Sequence, residues 1–265
     1  MAAETDRDYR GSRRRNHGDL PGRKPFRSRT QSGRLPLTAA DRAAHAVISA
    51  GLQELTPTIP QLSEEGQLAG FEERRQWERY WLIDPLDGTK EFIKRNDEFT
   101  VNIALIENHK PVLGVVHAPA LGTTYVGSPT GAQRKRDGVT ETIRTRPLGS
   151  PLTAVVSRSH RGERVDTLLE RLPETTTTSV GSSLKFCLVA EGEADLYPRF
   201  GPTSEWDTGA AHCVVEAAGG LVCKADLSPL RYNAKESILN PDFLVIGDPN
   251  HDWASHLTGI EGEER

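Results

Sequence analysis

The sequence predicts an α+β layered sandwich. A helix-like spacing opens the ordered chain, a β-rich run with a hairpin fills the first half, and helices alternate with strands in the second. Residues 1–34 stand outside this order. They hold nine Arg and one Lys against four acids, a balance of +6 that leaves −10 to the rest of the chain. Met1, Tyr9, Leu20 and Phe26 are their only large apolar residues, so the composition reads as a disordered basic tail. Arg13-Arg14-Arg15 gives the tail a secondary reading, as a contact for nucleic acid or an acidic membrane, but short basic tracts are common.

Order begins at Leu35. Thr38 with Asp41 three residues on matches an N-cap with an acid at N3, and Ala44, Val47, Ile48 and Leu52 recur at helical spacing until Pro57 and Pro60. A short apolar strand is expected at 80–83. A partly alternating strand at 99–106 has a hairpin partner at 111–117, and further strands are expected at 123–127 and 140–145. The rhythm then changes. Residues 152–157 read as a buried strand, and 164–172, 182–192 and 207–218 as helices. Strand-like runs follow at 194–198, 221–224 and 243–246. The expected division is a tail (1–34), an N-terminal α+β half (35–150) and a C-terminal half (151–265).

The chain has 265 residues, 36% of them hydrophobic and 26% charged, enough to bury a full core. No apolar run approaches the roughly 18 residues of a membrane span, and the N-terminus has no apolar core of signal-peptide length. Cys187, Cys213 and Cys223 form no C-x-x-C pair, which argues against a disulfide framework or a thiolate metal site and fits a reducing cytoplasm. Cys187 and Cys213 fall on apolar helix faces and read as core thiols. A net charge of −4 gives no reason to expect nucleic acid as a partner.

The most informative stretch is Asp84-Pro85-Leu86-Asp87-Gly88-Thr89-Lys90-Glu91-Phe92, directly after the apolar strand. Pro85 helps hold a turn in which Asp84, Asp87 and the Leu86 carbonyl can converge, a donor set suited to a hard cation such as Mg²⁺. Gly88 permits close approach of an anion, and residues 89–92 can open a helical turn whose free N–H groups face a phosphate. Alone, this is also an ordinary Asp-rich turn. Two further acids raise the functional reading: Glu64-Glu65 follows a strand-like 59–62, and Trp206-Asp207 opens a helix that ends Ala217-Ala218-Gly219-Gly220. Two cations bridged by such acids form a phosphoryl-transfer site.

These segments resemble the two signatures of the Mg²⁺-dependent, lithium-sensitive phosphatase superfamily, which includes inositol monophosphatases, fructose-1,6-bisphosphatases and 3′(2′),5′-bisphosphate nucleotidases. The likeness runs from about Leu35 to about Phe243. Lys90-Glu91-Phe92-Ile93, the run from Gly181 to Gly192 and Tyr197-Pro198-Arg199-Phe200-Gly201-Pro202 are similar to the bacterial nucleotidase branch, the CysQ type. The resemblance implies an αβαβα sandwich and two or more Mg²⁺ ions. It implies that Glu64, Asp84 and the Leu86 carbonyl hold one ion, and Asp84, Asp87 and Asp207 a second. Thr89 and Asp41 match the pair that orients the attacking water, with Asp41, Glu64 and Thr89 as the catalytic set. Gly88, Thr89, His160, Ser182, Lys185, Arg199 and Asp207 are implied at the substrate.

The implied reaction is hydrolysis of adenosine 3′,5′-bisphosphate to AMP and phosphate, with the sulfated analogue as a second substrate, in sulfate assimilation. The alternatives are an inositol monophosphatase, or a non-catalytic relative that binds metal or nucleotide. A small nucleotide is the implied partner. The implied location is the cytoplasm, with peripheral contact at the inner face of the membrane left open, and the oligomeric state unassigned. Two departures stand out. Where the superfamily has an amphipathic helix before the Thr-x-x-Asp segment, this chain is Arg-rich, so apolar surface is expected to be exposed. Thr208-Gly209-Ala210-Ala211 replaces the usual Thr-Ala-Ala-Gly, and Gly209 is expected to cost about 1 kcal/mol relative to Ala.

Overall fold

A computed structural model describes residues 39–157, 162–260 and 262–265. Helix α1 (Ala39–Leu55) carries Asp41 in its first turn, where the helix dipole favours an acid. Strand β1 (Gln61–Ser63) and the short α2 (Phe71–Arg74) lead into β2 (Arg79–Asp87). After the six-residue α3 (Thr89–Lys94), β3 (Thr100–Glu107), β4 (Lys110–Ala118), β5 (Thr123–Ser128), β6 (Gly131–Arg136) and β7 (Val139–Ile143) follow as a meander. Together with β1 they form a seven-stranded sheet in chain order, antiparallel except for the β1–β2 pair.

The second sheet has five strands in the order β11-β12-β10-β8-β9: β8 (Leu152–Val155), β9 (Thr175–Thr178), β10 (Leu196–Arg199), β11 (Leu221–Lys224) and β12 (Phe243–Ile246). Here β8 runs parallel to both β9 and β10, and β12 antiparallel to β10 and β11. Helices α5 (Leu184–Ala190) and α6 (Glu205–Ala217) lie between the sheets: α6 packs on β2 to β6 and also on β11, while α5 packs on α6, β10 and β12. The largest buried cluster joins Leu82, Ile106, Val116 and Tyr125 of the first sheet to Val214, Val215, Tyr197 and Phe243. Helix α1 covers the outer face of the first sheet through Leu52, Trp81 and Ile83. Helices α4 (Glu163–Arg171) and α7 (Trp253–Leu257) cover the second sheet through Leu168, Trp253 and Leu257 against Leu152, Leu196 and Leu244. The layers therefore run αβαβα, as the resemblance implies.

Helix α6 can sit this close to the first sheet because two strand residues have no side chain. A Cβ on Gly114 of β4 would stand 2.1 Å from the Ala210 carbonyl oxygen, and one on Gly127 of β5 would stand 2.6 Å from the Val214 backbone. Gly209 faces the sheet from the helix side, where an added Cβ would stand 2.8 Å from Cδ2 of Leu82. An Ala at 209 regains propensity and presses on a buried Leu.

Among the described residues, two helices and two strands escape the sequence reading, α2, α7, β6 and β9, as does the 3-10 turn Pro119–Leu121. Half of strand β6 is charged, and β9 is four threonines at a sheet edge, three of them exposed, so neither shows an apolar period. The helix expected from 182 begins at Leu184, because Ser182 adopts a left-handed backbone (φ 49°). Val47 and Leu55 of α1 are 74% and 78% exposed, in line with the apolar surface expected there. All three cysteines are buried and free, and burial raises the thiol pKa of Cys213 and Cys223 to about 12, which keeps them protonated. No helix among the described residues is long and apolar enough to cross a membrane.

Candidate active site

The β2–β3 ladder breaks where the acids are. Asp84 pairs with Asn102 and Asp87 with Thr100, so the register slips between them and leaves Pro85 and Leu86 as a bulge. A bulge re-aims side chains, and this one brings both carboxylates to one side. The Leu86 N–H closes the turn by donating to Asp84 Oδ1 at 2.9 Å. Gly88 follows with φ 91°, where any side chain is strained and a Cβ would also press on the Glu98 carbonyl at 3.2 Å. Thr89 starts α3, and its hydroxyl donates to the Leu86 carbonyl at 3.4 Å.

Asp207 arrives on α6 through a capping box. Ser204 caps the helix, and the Asp207 carboxylate accepts the Ser204 N–H at 2.9 Å through Oδ2. Asp84, Asp87 and Asp207 each place a carboxylate oxygen within 4.8 Å of the others. Glu64 stands at the more exposed rim, tied to β2 by its N–H to the Ile83 carbonyl at 3.2 Å. Desolvation by surrounding protein atoms, then Asp87 and Glu65, push the Glu64 pKa up to about 7, against a hydrogen bond with Asp84. Asp84 is driven well up by burial, then by Asp87, Glu64 and Asp207. Asp207 is driven well up by burial, Asp87 and Glu64. Asp87 is raised by burial, with Lys185 and Ser183 pulling the other way.

Burial raises all four acids, and Asp87 and Glu64 push Asp84 and Asp207 up further, so the cluster favours positive charge between its carboxylates. Oδ2 of buried Asp84 has no hydrogen-bond partner among the described residues. An orphaned oxygen within a convergent set of hard donors fits a divalent cation, with Leu86 and Glu64 available to complete its shell.

Beside the acids lies a cleft lined by Asp87, Gly88, Ser182, Lys185, Arg199 and Asp207. Its far wall is cationic. Lys185 Nζ donates to the Ser182 carbonyl at 2.6 Å and lies 5.5 Å from the Tyr197 ring centroid. Burial lowers its pKa to about 8 despite nearby Asp87. Arg199 is braced by Thr203 Oγ1 at 2.6 Å and the Pro202 carbonyl at 2.7 Å. Ser182 Oγ is buried in the wall of the same cleft, without a hydrogen-bond partner among the described residues. Asp41 is buried at the head of α1 and adds to the negative field on Glu64 and Glu65. His160 falls outside the described residues.

The model of the inositol monophosphatase family matches residues 14–256. The chain belongs to the inositol monophosphatase family. It is 53% identical over 236 residues to the 3′(2′),5′-bisphosphate nucleotidase CysQ of Escherichia coli K12, which spans 87% of this chain and 95% of that protein. The crystal structure of CysQ from Bacteroides thetaiotaomicron, a bacterial member of the family, superposes with a TM-score of 0.72 at 45% identity, covering 78% of this chain and 83% of that one. An inositol monophosphatase from Anabaena superposes with a TM-score of 0.68 at 29% identity, covering 83% of this chain and 86% of that one. Inositol monophosphatase family members are generally metal-dependent, and the carboxylate cluster supplies the donors.

Sequence reasoning missed two polar assemblies behind this family's acidic cluster. The first is a buried cage around Glu205, the residue that opens α6. Both Glu205 carboxylate oxygens accept the Asn233 N–H, at 3.0 and 2.8 Å, and Asn233 is held left-handed (φ 54°). Arg74 of α2, only 3% exposed, donates to Asn233 Oδ1 and to the Glu236 carbonyl, while Asn233 Nδ2 returns a bond to the Arg74 carbonyl. The cage ties the strand-β2 entrance to the helix that carries Asp207. Arg74→Met removes the cation from a buried network and leaves Glu205 without it, at a cost of about 3 kcal/mol or more. A melting temperature lower by at least ~6 °C is expected. A melt within ~2 °C of the parent would mean that the cage carries little stability.

The second assembly joins Asn102 to Ser183. Its signal lay in β3, where Thr100 and Asn102 take the core-facing positions that Ala104 and Ile106 hold further along.

Proposed function

We propose that the chain is a 3′(2′),5′-bisphosphate nucleotidase that releases the 3′-phosphate of adenosine 3′,5′-bisphosphate, giving AMP and phosphate. The observation that carries this reading is the pairing of an acidic cluster with a cationic wall, Lys185 and Arg199, along one cleft. A substrate with two phosphates answers both poles, whereas an inositol monophosphate has no second phosphate for the cations. The 53% identity to a CysQ nucleotidase supports the same choice.

In this reading Glu64, Asp84, Asp87, Asp207 and the Leu86 carbonyl hold Mg²⁺, with two ions as the proposed number. The bound cations supply Lewis-acid stabilisation and acidify the attacking water. Thr89 orients that water, and Asp41 takes up its proton and is the source of the one returned to the leaving oxygen. Gly88 and the first turn of α3 present backbone N–H groups to the reacting phosphate. Water oxygen bonds to phosphorus as the bond to the 3′ oxygen breaks, and the leaving oxygen ends protonated as the ribose hydroxyl. Lys185, Arg199, Ser182 and His160 hold the 5′-phosphate and nucleoside.

The test is phosphate release with Mg²⁺ from adenosine 3′,5′-bisphosphate against inositol 1-phosphate. The nucleotide is expected to be strongly preferred. Lys185→Met is expected to lower kcat/KM on the nucleotide by roughly 10- to 100-fold, the worth of one charge-assisted contact, and to change the inositol phosphate rate far less. Equal rates on the two substrates, or equal losses in the variant, would overturn the assignment.

A further inference from the structure

Three carboxylates that repel one another have to be held convergent from behind. The side chain best placed to do this is Ser183, the residue before α5. Its hydroxyl oxygen lies 3.0 Å from Asn102 Nδ2, 3.1 Å from Asp87 Oδ2 and 2.6 Å from the Asp207 carbonyl. The Ser183 backbone N–H adds a further hydrogen bond to Asp87. A hydroxyl has one proton and two lone pairs. The Asn102 amide donates into a lone pair, so the single hydroxyl proton turns to the other side, where the Asp207 backbone carbonyl at 2.6 Å is the nearer acceptor and Asp87 Oδ2 at 3.1 Å the farther. Asn102 comes from β3, where it sits directly across the ladder from Asp84. Asn102 is 1% exposed and Ser183 2%. The two side chains therefore link the strand opposite Asp84, the loop end bearing Asp87 and the helix bearing Asp207.

We infer that Asn102 and Ser183 act as one positioning pair that sets the spacing of the Asp87 and Asp207 carboxylates for a divalent cation. Neither touches a reacting atom. The inference rests on reading the acidic cluster as a cation site, and it is independent of which phosphate ester is the substrate. Outer partners of metal ligands typically hold 10- to 100-fold of metal affinity. Two residues that work through a single hydrogen bond lose that affinity once, not twice.

The experiment measures Mn²⁺ affinity of the full chain without substrate, by calorimetry and by the Mn²⁺ paramagnetic resonance signal. Melting temperature is followed in EDTA. Ser183→Ala and Asn102→Leu are each expected to weaken Mn²⁺ binding by about 10-fold or more. The double variant is expected to bind no worse than the weaker single one, and Ser183→Thr, which keeps the hydroxyl, to bind within about threefold of the parent. Single variants with parental affinity would overturn the pair. So would additive losses, or losses that Ser183→Thr shares and that follow the melting temperature. A parent chain that binds no Mn²⁺ would overturn the cation site itself, and the pair with it. A parent that binds Mn²⁺ yet releases no nucleotide phosphate would overturn the substrate assignment and leave the pair to be judged on its affinities.

Discussion

Asp84→Asn is expected to cut phosphate release by on the order of 10³-fold and yet to stabilise the chain when metal is withheld. Both effects come from one oxygen. Asp84 sits in both proposed ion sites, and its Oδ2 is buried with no hydrogen-bond partner among the described residues. In EDTA that negative charge faces Asp87, Glu64 and Asp207 with little relief. The sign of the pH dependence follows. An acid whose pKa is raised on folding keeps its proton longer in the native state. Its contribution is full below the unfolded pKa of about 4 and is lost as pH climbs through the folded value. Asp84, Asp87 and Asp207 all shift upward, and Glu64 reaches about 7. Metal-free protein is therefore expected to lose stability from this cluster between about pH 4 and pH 7 and beyond. Added Mg²⁺ is expected to restore it at neutral pH, since a cation held by the native cluster stabilises the native state. In EDTA at pH 7.5 the Asn variant is expected to melt about 3 °C or more above the parent, with a smaller rise on adding Mg²⁺. A variant that melts lower in EDTA, or keeps its activity, would show that Asp84 is held by something other than a cation.

Such a trade of stability for chemistry is legible in sequence where its parts are local. Asp84, Pro85, Asp87 and Gly88 fall within one turn, and although that spacing alone also fits an ordinary Asp-rich turn, the acids at Glu64 and Asp207 raise it to a candidate site. Asp207 is legible through the segment it shares with the superfamily, and the capping box then explains how that carboxylate is aimed. What sequence does not disclose is what holds these groups from behind. Arg74 and Asn233 lie 159 positions apart and meet only because α2 and the loop after β11 close over the same end of α6. Ser183 reads as one more polar residue in the first turn of a helix until Asn102 is seen opposite it. Strands β6 and β9 fail for another reason. They lie toward sheet edges, where side chains answer to solvent, so neither apolar period nor apolar run marks them. Burial writes itself into sequence as pattern, whereas contact between distant polar residues does not.

Glycines test the same limit, because a glycine needed for close approach looks like any other. Gly114→Ala is expected to be the most damaging single-methyl change in the central layer. The new carbon would fall 2.1 Å from the Ala210 carbonyl oxygen and 2.8 Å from Cys213 Cβ, and a carbonyl inside a helix cannot turn aside. Relief requires α6 as a whole to lift from the sheet, and α6 has ten buried residues and carries Asp207 at its first turn. The expected cost lies at or above the upper end of overpacking losses, about 3–5 kcal/mol, enough to unfold a chain of ordinary stability. Material that does fold is expected to bind Mn²⁺ poorly, since lifting the helix draws Asp207 away from Asp84 and Asp87. Gly209→Ala is the matched control. It adds the same methyl at the same interface, but its nearest neighbour is the end of the Leu82 side chain, which can rotate, and helix propensity offsets part of the strain. That variant is expected to stay within about 1 kcal/mol of the parent in urea unfolding. If both variants fold equally well, α6 is less tightly seated on β4 than these distances require, and the placement of Asp207 must depend on its capping box and the Glu205 cage instead.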